Sequence, residues 1–225
     1  MPIVNPLWIE IAGRAGVTLS AAQGEAMGRY LDLLLAANER MNLTRITDRA
    51  AAEEQHVADA LTLLAWMPGA PHRLVDVGSG GGVPGLVLAI ARPDVEILLV
   101  ESTNKKAQFL REATGGLGLK NVTIAAERAE ALAKDERREG FDVCTARAVA
   151  DLETLAGWCL PLVRVGGKLL AMKGPRIADE LPVARQAIRA AGGGEAAVHP
   201  AGLGQHVVVE IRKQRTTKPR GRQRP

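Results

Sequence analysis

Apolar and polar positions keep a helical period over roughly the first third of the chain and then change rhythm. Between Trp8 and Met67 the pattern is helical: Ser20 suits the N-cap of a helix running past Leu31, Leu33, Leu34 and Leu35 to about Glu39. Asp48 can cap another that carries His56 and Asp59 on one side. From Arg73 onward, short runs rich in Val, Ile and Leu predict strands at 74–77, 95–100, 122–124, 141–144 and 168–172. Helical stretches at 84–91, near 105–117 and at 151–162 fall among them. Such alternation calls for a parallel sheet with helices on both faces. The last two runs, 195–199 and 206–211, are separated only by residues 200–205. That gap has no room for a crossover helix, so they must pair as an antiparallel hairpin. The expected fold is therefore α/β, a mostly parallel seven-stranded sheet with an antiparallel terminal strand, preceded by N-terminal helices.

The first strand runs directly into Asp76-Val77-Gly78-Ser79-Gly80-Gly81-Gly82. A glycine turn there lies at the carboxyl edge of the sheet, where open α/β folds bind ligands. Glycine lets the backbone approach a ligand closely, and the first amides of the following helix face a negative group. Pro84 suits the first helical position. Read from Gly80, the spacing Gly80-x-Gly82-x-x-Gly85 matches a dinucleotide fingerprint, but it begins two residues after the strand ends. Read from Gly78, it is Gly-x-Gly-x-Gly with Asp76 upstream, which resembles the class I (Rossmann-like) methyltransferases, as does the antiparallel last strand. The expected cofactor is S-adenosyl-L-methionine, with its carboxylate at the turn and its ammonium near Asp76. Glu101, ending the second strand, can accept from both ribose hydroxyls, a geometry shared with NAD enzymes. After the third strand, a backbone amide near Ala129 and the Glu130 carboxylate can flank an adenine.

Four segments carry a narrower resemblance: Leu74-Val-Asp-Val-Gly-Ser-Gly-Gly-Gly-Val-Pro-Gly85, Glu101-Ser-Thr-Asn-Lys-Lys-Ala-Gln-Phe-Leu110, Thr145-Ala-Arg-Ala-Val149 and Ala171-Met-Lys-Gly174. With Asn42-Leu-Thr44 and Gln55-His-Val-Ala-Asp-Ala-Leu61, they resemble the RsmG (GidB) family over about residues 30–175. The resemblance implies a bacterial enzyme that methylates N7 of the guanine at position 527 of 16S rRNA. It also implies cofactor contacts at Gly78, Val83, Glu101, Ser102, Thr103, Ala129, Glu130 and Arg147. Ala146 stands where many members carry Ser. Guanine N7 has a free lone pair and no proton, so alignment suffices and no acid or base is assigned. The Asn/Asp-Pro-Pro-aromatic turn of exocyclic-amine methyltransferases is missing after the fourth strand. Cys144 reads as a packed strand residue rather than a nucleophile. Arg147 could grip guanine's O6 and N7 edge, but a donor on N7 would block the nucleophile, so pocket or phosphate duty is expected.

Charge adds a partner to the picture. Seven of the 29 basic residues lie in 212–225, which holds no acid, so residues 1–211 carry 22 bases against 25 acids, a net −3, while the whole chain is +4. The expected units are an N-terminal helical extension (1–70), a cofactor-binding domain (71–211) and a basic, disordered tail (212–225) seeking a polyanion. Candidate RNA contacts are Lys105, Lys106, Arg111 and Lys173, and Arg212, Lys213 and Arg215 of the tail. The partner would be 16S rRNA or the small ribosomal subunit, and a monomer is expected. Only 3% of residues are aromatic, so recognition would rest on charge and shape rather than stacking. Methylation of another RNA site, a small molecule or a protein stays open on the residues alone. So does a non-catalytic RNA-binding role, which the intact glycine turn and both acids weaken. The two cysteines have no metal-ligand spacing and fit a reducing compartment, and no segment has the roughly 20 apolar residues of a membrane span. A cytoplasmic protein without a metal is the expectation.

Overall fold

The computed structural model describes residues 4–217. Asn5 caps α1 (Pro6–Arg14). A reciprocal capping box of Ser20 and Gln23 opens α2 (Ala21–Met41), which stops where Asn42 turns left-handed at φ 52°. Asp48 caps α3 (Arg49–Ala52), which widens into a π-helical turn at Glu53–Ala58 and continues through α4 (Asp59–Leu61). Alternation then begins: β1 (Arg73–Val77), α5 (Gly85–Ala91), β2 (Glu96–Val100), α6 (Asn104–Leu117), β3 (Val122–Ala125), α7 (Ala129–Leu132), β4 (Phe141–Arg147) and α8 (Leu152–Cys159). It closes with β5 (Val163–Lys173), α9 (Ile177–Ala190), β6 (Gly193–Pro200) and β7 (Val207–Lys213). Helix α5 opens at Gly85, with Pro84 just before it at the cap. Neither α7 nor α9 is expected from the sequence pattern above.

The seven strands lie in the order β3-β2-β1-β4-β5-β7-β6. β1 to β5 are mutually parallel, and β7 pairs antiparallel with both β5 and β6. The last strand of the chain thus slots between its two predecessors in the sheet. Alternate strand residues feed opposite cores. Leu74, Ile97 and Leu99 pack with Tyr30, Leu31, Leu34, Leu61 and Leu63 of the N-terminal helices. Val75, Val77 and Val100 pack with Leu152 and Leu155 of α8 and Ile188 of α9. The N-terminal helices therefore form one wall of the sheet's own core, and this brings them to the glycine turn.

The basic tail needs correction where it is described. β7 runs two residues beyond the expected boundary at 211. Lys213 is 1% exposed, and its Nζ donates to the carbonyls of Leu160 (2.9 Å) and Ala191 (3.0 Å). Those carbonyls sit at the C-caps of α8 and α9, so the ammonium closes two helix ends at once. Glu139 lies 3.5 Å away. Arg212 pairs with Glu210, and Arg215 donates to the Arg189 carbonyl. Lys213 therefore belongs to the fold rather than to an RNA arm, whereas Arg212 and Arg215 are exposed. The rest of the expected arm, 218–225, lies outside the described residues.

Candidate functional site

The glycine turn is shaped by backbone need. Gly78, Gly80 and Gly82 have φ of 72°, 51° and 95°, conformations that side-chain-bearing residues avoid. A Cβ on Gly78 would stand 2.6 Å from Val149. Helix α2 braces the turn from the other side, because the buried Tyr30 hydroxyl donates to the Gly81 carbonyl at 2.7 Å. Burial pushes that hydroxyl well above the ordinary tyrosine range, so it stays a donor.

Glu101 follows β2 and is 7% exposed. Its carboxylate accepts from the amides of Gly80 (3.0 Å) and Thr103 (2.7 Å), tying the turn to the next loop. Asp76 sits beneath the turn. Its Oδ1 accepts from the Thr145 hydroxyl at 2.7 Å, and its Oδ2 is buried without a hydrogen-bond partner among the described residues. Burial raises its pKa to about 6, against the opposing hydrogen bond from Thr145.

A cleft of about 360 Å³ opens above the turn. Of the residues singled out from sequence, Gly78, Gly80, Val83, Glu101, Ser102, Lys106 and Arg147 line it. Asp76, Gly82, Thr103, Ala129 and Glu130 are not on its wall: Asp76 lies below, and Ala129 and Glu130 form the first turn of α7. Lys105 and Arg111 are exposed on α6. Ser79 and Gly81 of the glycine turn and His56 also line it, and the sequence reading did not assign Leu34, Leu43, Thr44, Ala148 and Val149 to the site. Leu34, Leu43 and Thr44 reach it through the docking of α2 and the loop after it, and Ala148 and Val149 through the carboxyl end of β4.

Next to the cleft lies a far larger groove of about 1690 Å³ between the end of α2, the loop after it, and the carboxyl ends of β4 and β5. Leu43, Thr44, His56, Arg147 and Ala148 line both spaces. Arg147 holds this junction, donating through Nη1 to the Gln55 carbonyl (2.7 Å) and Asp59 (3.4 Å), and through Nη2 to His56 Nδ1 (2.9 Å). His56 and Asp59, both buried, thus face the arginine together. Asp59 also lies 3.3 Å from His206 of the β6–β7 loop. Burial first, and the arginine's charge second, lower the His56 pKa to about 4.

Lys173 lines the groove, but its charge is taken up by Glu180 (2.6 Å) and the Ala150 carbonyl (2.9 Å). Arg45 and Arg176 line the same groove, are exposed, and have no ion-pair partner among the described residues. Neither was singled out from the sequence. Cys144 is fully buried in β4, where burial raises its thiol pKa, as suits a packing role. Among the described residues no helix is long and apolar enough to cross a membrane, and no group of three or more His, Cys, Asp or Glu could hold a metal ion.

A parallel sheet closed by an antiparallel hairpin, with a glycine turn and a strand-end carboxylate at its carboxyl edge, defines a Rossmann-like methyltransferase fold. Consistent with that fold, the ribosomal protein L11 methylase of Lactobacillus delbrueckii subsp. bulgaricus aligns with a TM-score of 0.55. It covers 72% of this chain and 79% of that one at 16% identity. Sequence comparison goes further. The family model described as rRNA small subunit methyltransferase G matches residues 23–208, and the chain belongs to that family. It is 53% identical to the ribosomal RNA small subunit methyltransferase G of Sorangium cellulosum over 80% of this chain and 79% of that protein. It is 48% identical to the corresponding protein of a Roseiflexus species over 82% and 80%.

Proposed function

We propose that the chain transfers the methyl group of S-adenosyl-L-methionine to N7 of the guanine at position 527 of 16S rRNA. The observation that carries this reading is the meeting of two unequal spaces at Thr44, His56 and Arg147. The 360 Å³ cleft is in the range of small-molecule sites, whereas the 1690 Å³ groove exceeds it. A cofactor on one side and a macromolecule on the other fit that inequality. The names of its relatives, which are small-subunit rRNA methyltransferases, support the substrate class.

The residues present fit the cofactor. Gly78 and Gly80 face the cleft with backbone alone, and a Cβ on Gly78 would collide with Val149 of the same wall. Glu101 has the charge and position to accept hydroxyl donors as well as its two amides. In this reading Gly78, Gly80, Val83, Glu101, Ser102 and Arg147 contact the cofactor directly. Asp76 and Gly82 act through the shape of the turn, while Thr103, Ala129 and Glu130 bound the adenine end.

When bound, S-adenosyl-L-methionine supplies an electrophilic methyl: the N7–carbon bond forms as the sulfur–carbon bond breaks, the sulfur keeps that electron pair, and the positive charge passes to the base. Since N7 carries no proton, the chain's own task is alignment. Arg147 suits it by being occupied, for its two terminal nitrogens are committed to Gln55, Asp59 and His56 and so leave the N7 lone pair alone. Arg45 and Arg176 offer the groove's free cations to phosphate.

Labelled S-adenosyl-L-methionine offered with naked 16S rRNA, isolated small subunits and large subunits tests the reading. Label should enter RNA of the small subunit. Label confined to protein or to a small-molecule pool would overturn it.

A further inference from the structure

Thr44 occupies the boundary between cleft and groove, and the sequence after α2 fixes it there. Asn42 ends the helix in a left-handed turn, and the Asn38 side chain accepts from the Thr44 amide at 2.8 Å. Its hydroxyl has an unusual balance of hydrogen bonds. Arginine has only donors, so Arg147 Nη2 at 2.9 Å from His56 Nδ1 requires that nitrogen to accept. The neutral ring then carries its proton on Nε2, and Nε2 lies 2.9 Å from Thr44 Oγ1, which must accept it. The Ile46 amide donates to the same oxygen at 3.0 Å. Both lone pairs are now filled. The single hydroxyl proton has no acceptor among the described residues and is left for whatever enters the junction.

We propose that Thr44 is the specificity-determining donor to the O6 carbonyl of the target guanine, oriented by an Arg147–His56–Thr44 relay. This inference rests on the guanine-N7 reading above and adds the group that selects the base. O6 and N7 share one edge of guanine. A donor on O6 alone orients that edge and leaves the N7 lone pair free for the methyl. Adenine presents an amino group at the same place, which sets a donor against a donor whose lone pairs are already spent. The relay makes the choice strict: with Arg147 able only to donate, the imidazole cannot reverse, and so the threonine has no lone pair to accept from the base. The lowered His56 pKa, near 4, keeps the ring neutral under physiological conditions.

The test compares small subunits reconstituted with 16S rRNA carrying either guanine or 2-aminopurine at the target. 2-Aminopurine keeps N7 and the 2-amino group but lacks O6. Wild-type protein should methylate the guanine site about tenfold faster, the worth of one well-made hydrogen bond. Thr44→Val should bring the two rates within about twofold of each other, and Thr44→Ser should restore the discrimination. If Thr44→Val does not fold, Thr44→Ala is read in the same way. Equal wild-type rates on the two bases would overturn the proposal, as would a valine variant slowed equally on both with the ratio intact. Absence of any transfer to the guanine RNA by wild type is a separate outcome that removes the substrate reading and this proposal together.

Discussion

At the amino end of the parallel strands, the buried Lys213 ammonium is fully engaged by two helix-terminal carbonyls and Glu139. At the carboxyl end, among the described residues, Asp76 keeps a buried carboxylate oxygen without a partner, and Thr44 keeps a proton without an acceptor. The same sheet thus buries polar side chains in two ways. Where every donor and acceptor is matched, the cluster secures the fold. Where valences remain open beside a cavity, the residual hydrogen-bonding capacity is directed at a ligand, and the fold bears the cost of holding it.

The contrast predicts effects of different kind and size. The largest is expected at the matched end. Lys213→Met should lower unfolding free energy by about 4 kcal/mol, since it leaves two helix ends and Glu139 without their cation. Cofactor affinity and the salt dependence of RNA binding should not change. Chemical denaturation with parallel binding assays reads both, and a weakened RNA salt slope would return Lys213 to the RNA interface.

Asp76 comes next. Its folded pKa, about 6, lies above the ordinary carboxylate value of 3.8, so the folded state holds the proton more tightly than the unfolded chain. Its burial therefore costs stability above pH 6, and the cost fades as pH falls from about 6 to about 4. The stability difference between Asp76→Asn and wild type should shift in the variant's favour by about 2–3 kcal/mol between pH 4 and pH 7. A difference that stays flat across this range would mean that the carboxylate is not desolvated.

Glu101→Ala should weaken cofactor binding by about 1–3 kcal/mol, through loss of a charged acceptor. Calorimetry measures it, and an unchanged Kd would remove Glu101 from the site. His56 tests the junction itself. Its NMR titration should fall near pH 4 in the wild type and move upward in Arg147→Met, because the arginine's charge is the second cause of the depression. Since the unfolded ring titrates near 6.5, stability should decline as pH drops from about 6.5 toward 4. Wild-type titration near 6.5 would break the relay.

Legibility in the sequence followed how local each feature is. Residues 76–85 lie on one strand–turn–helix unit, so the spacing of Gly78, Gly80 and Gly82 carried the cofactor edge by itself, and the hairpin followed from the short gap at 200–205. Lys213 reads locally as part of a basic tail. Only the register of β7 against β6, with Lys213 opposite Gly193, brings its side chain under α8 and α9. Helix α9 carries Pro182 within it, a residue that argues against a helix interior when read locally. The junction was the least legible part. His56 and Asp59 could be seen to share a helix face, but Arg147 meets them across 91 and 88 residues of sequence. Thr44 enters the wall only because α2 ends at Asn42 against the glycine turn.

The central claim is tested most directly by locating the methyl group itself. N7-methylguanine makes its nucleotide open to borohydride reduction and aniline scission, so small subunits treated with the protein and S-adenosyl-L-methionine should yield 16S rRNA that breaks at position 527. No break should appear without the cofactor. RNA that is labelled but does not break there, or that breaks at another guanine, would contradict the account.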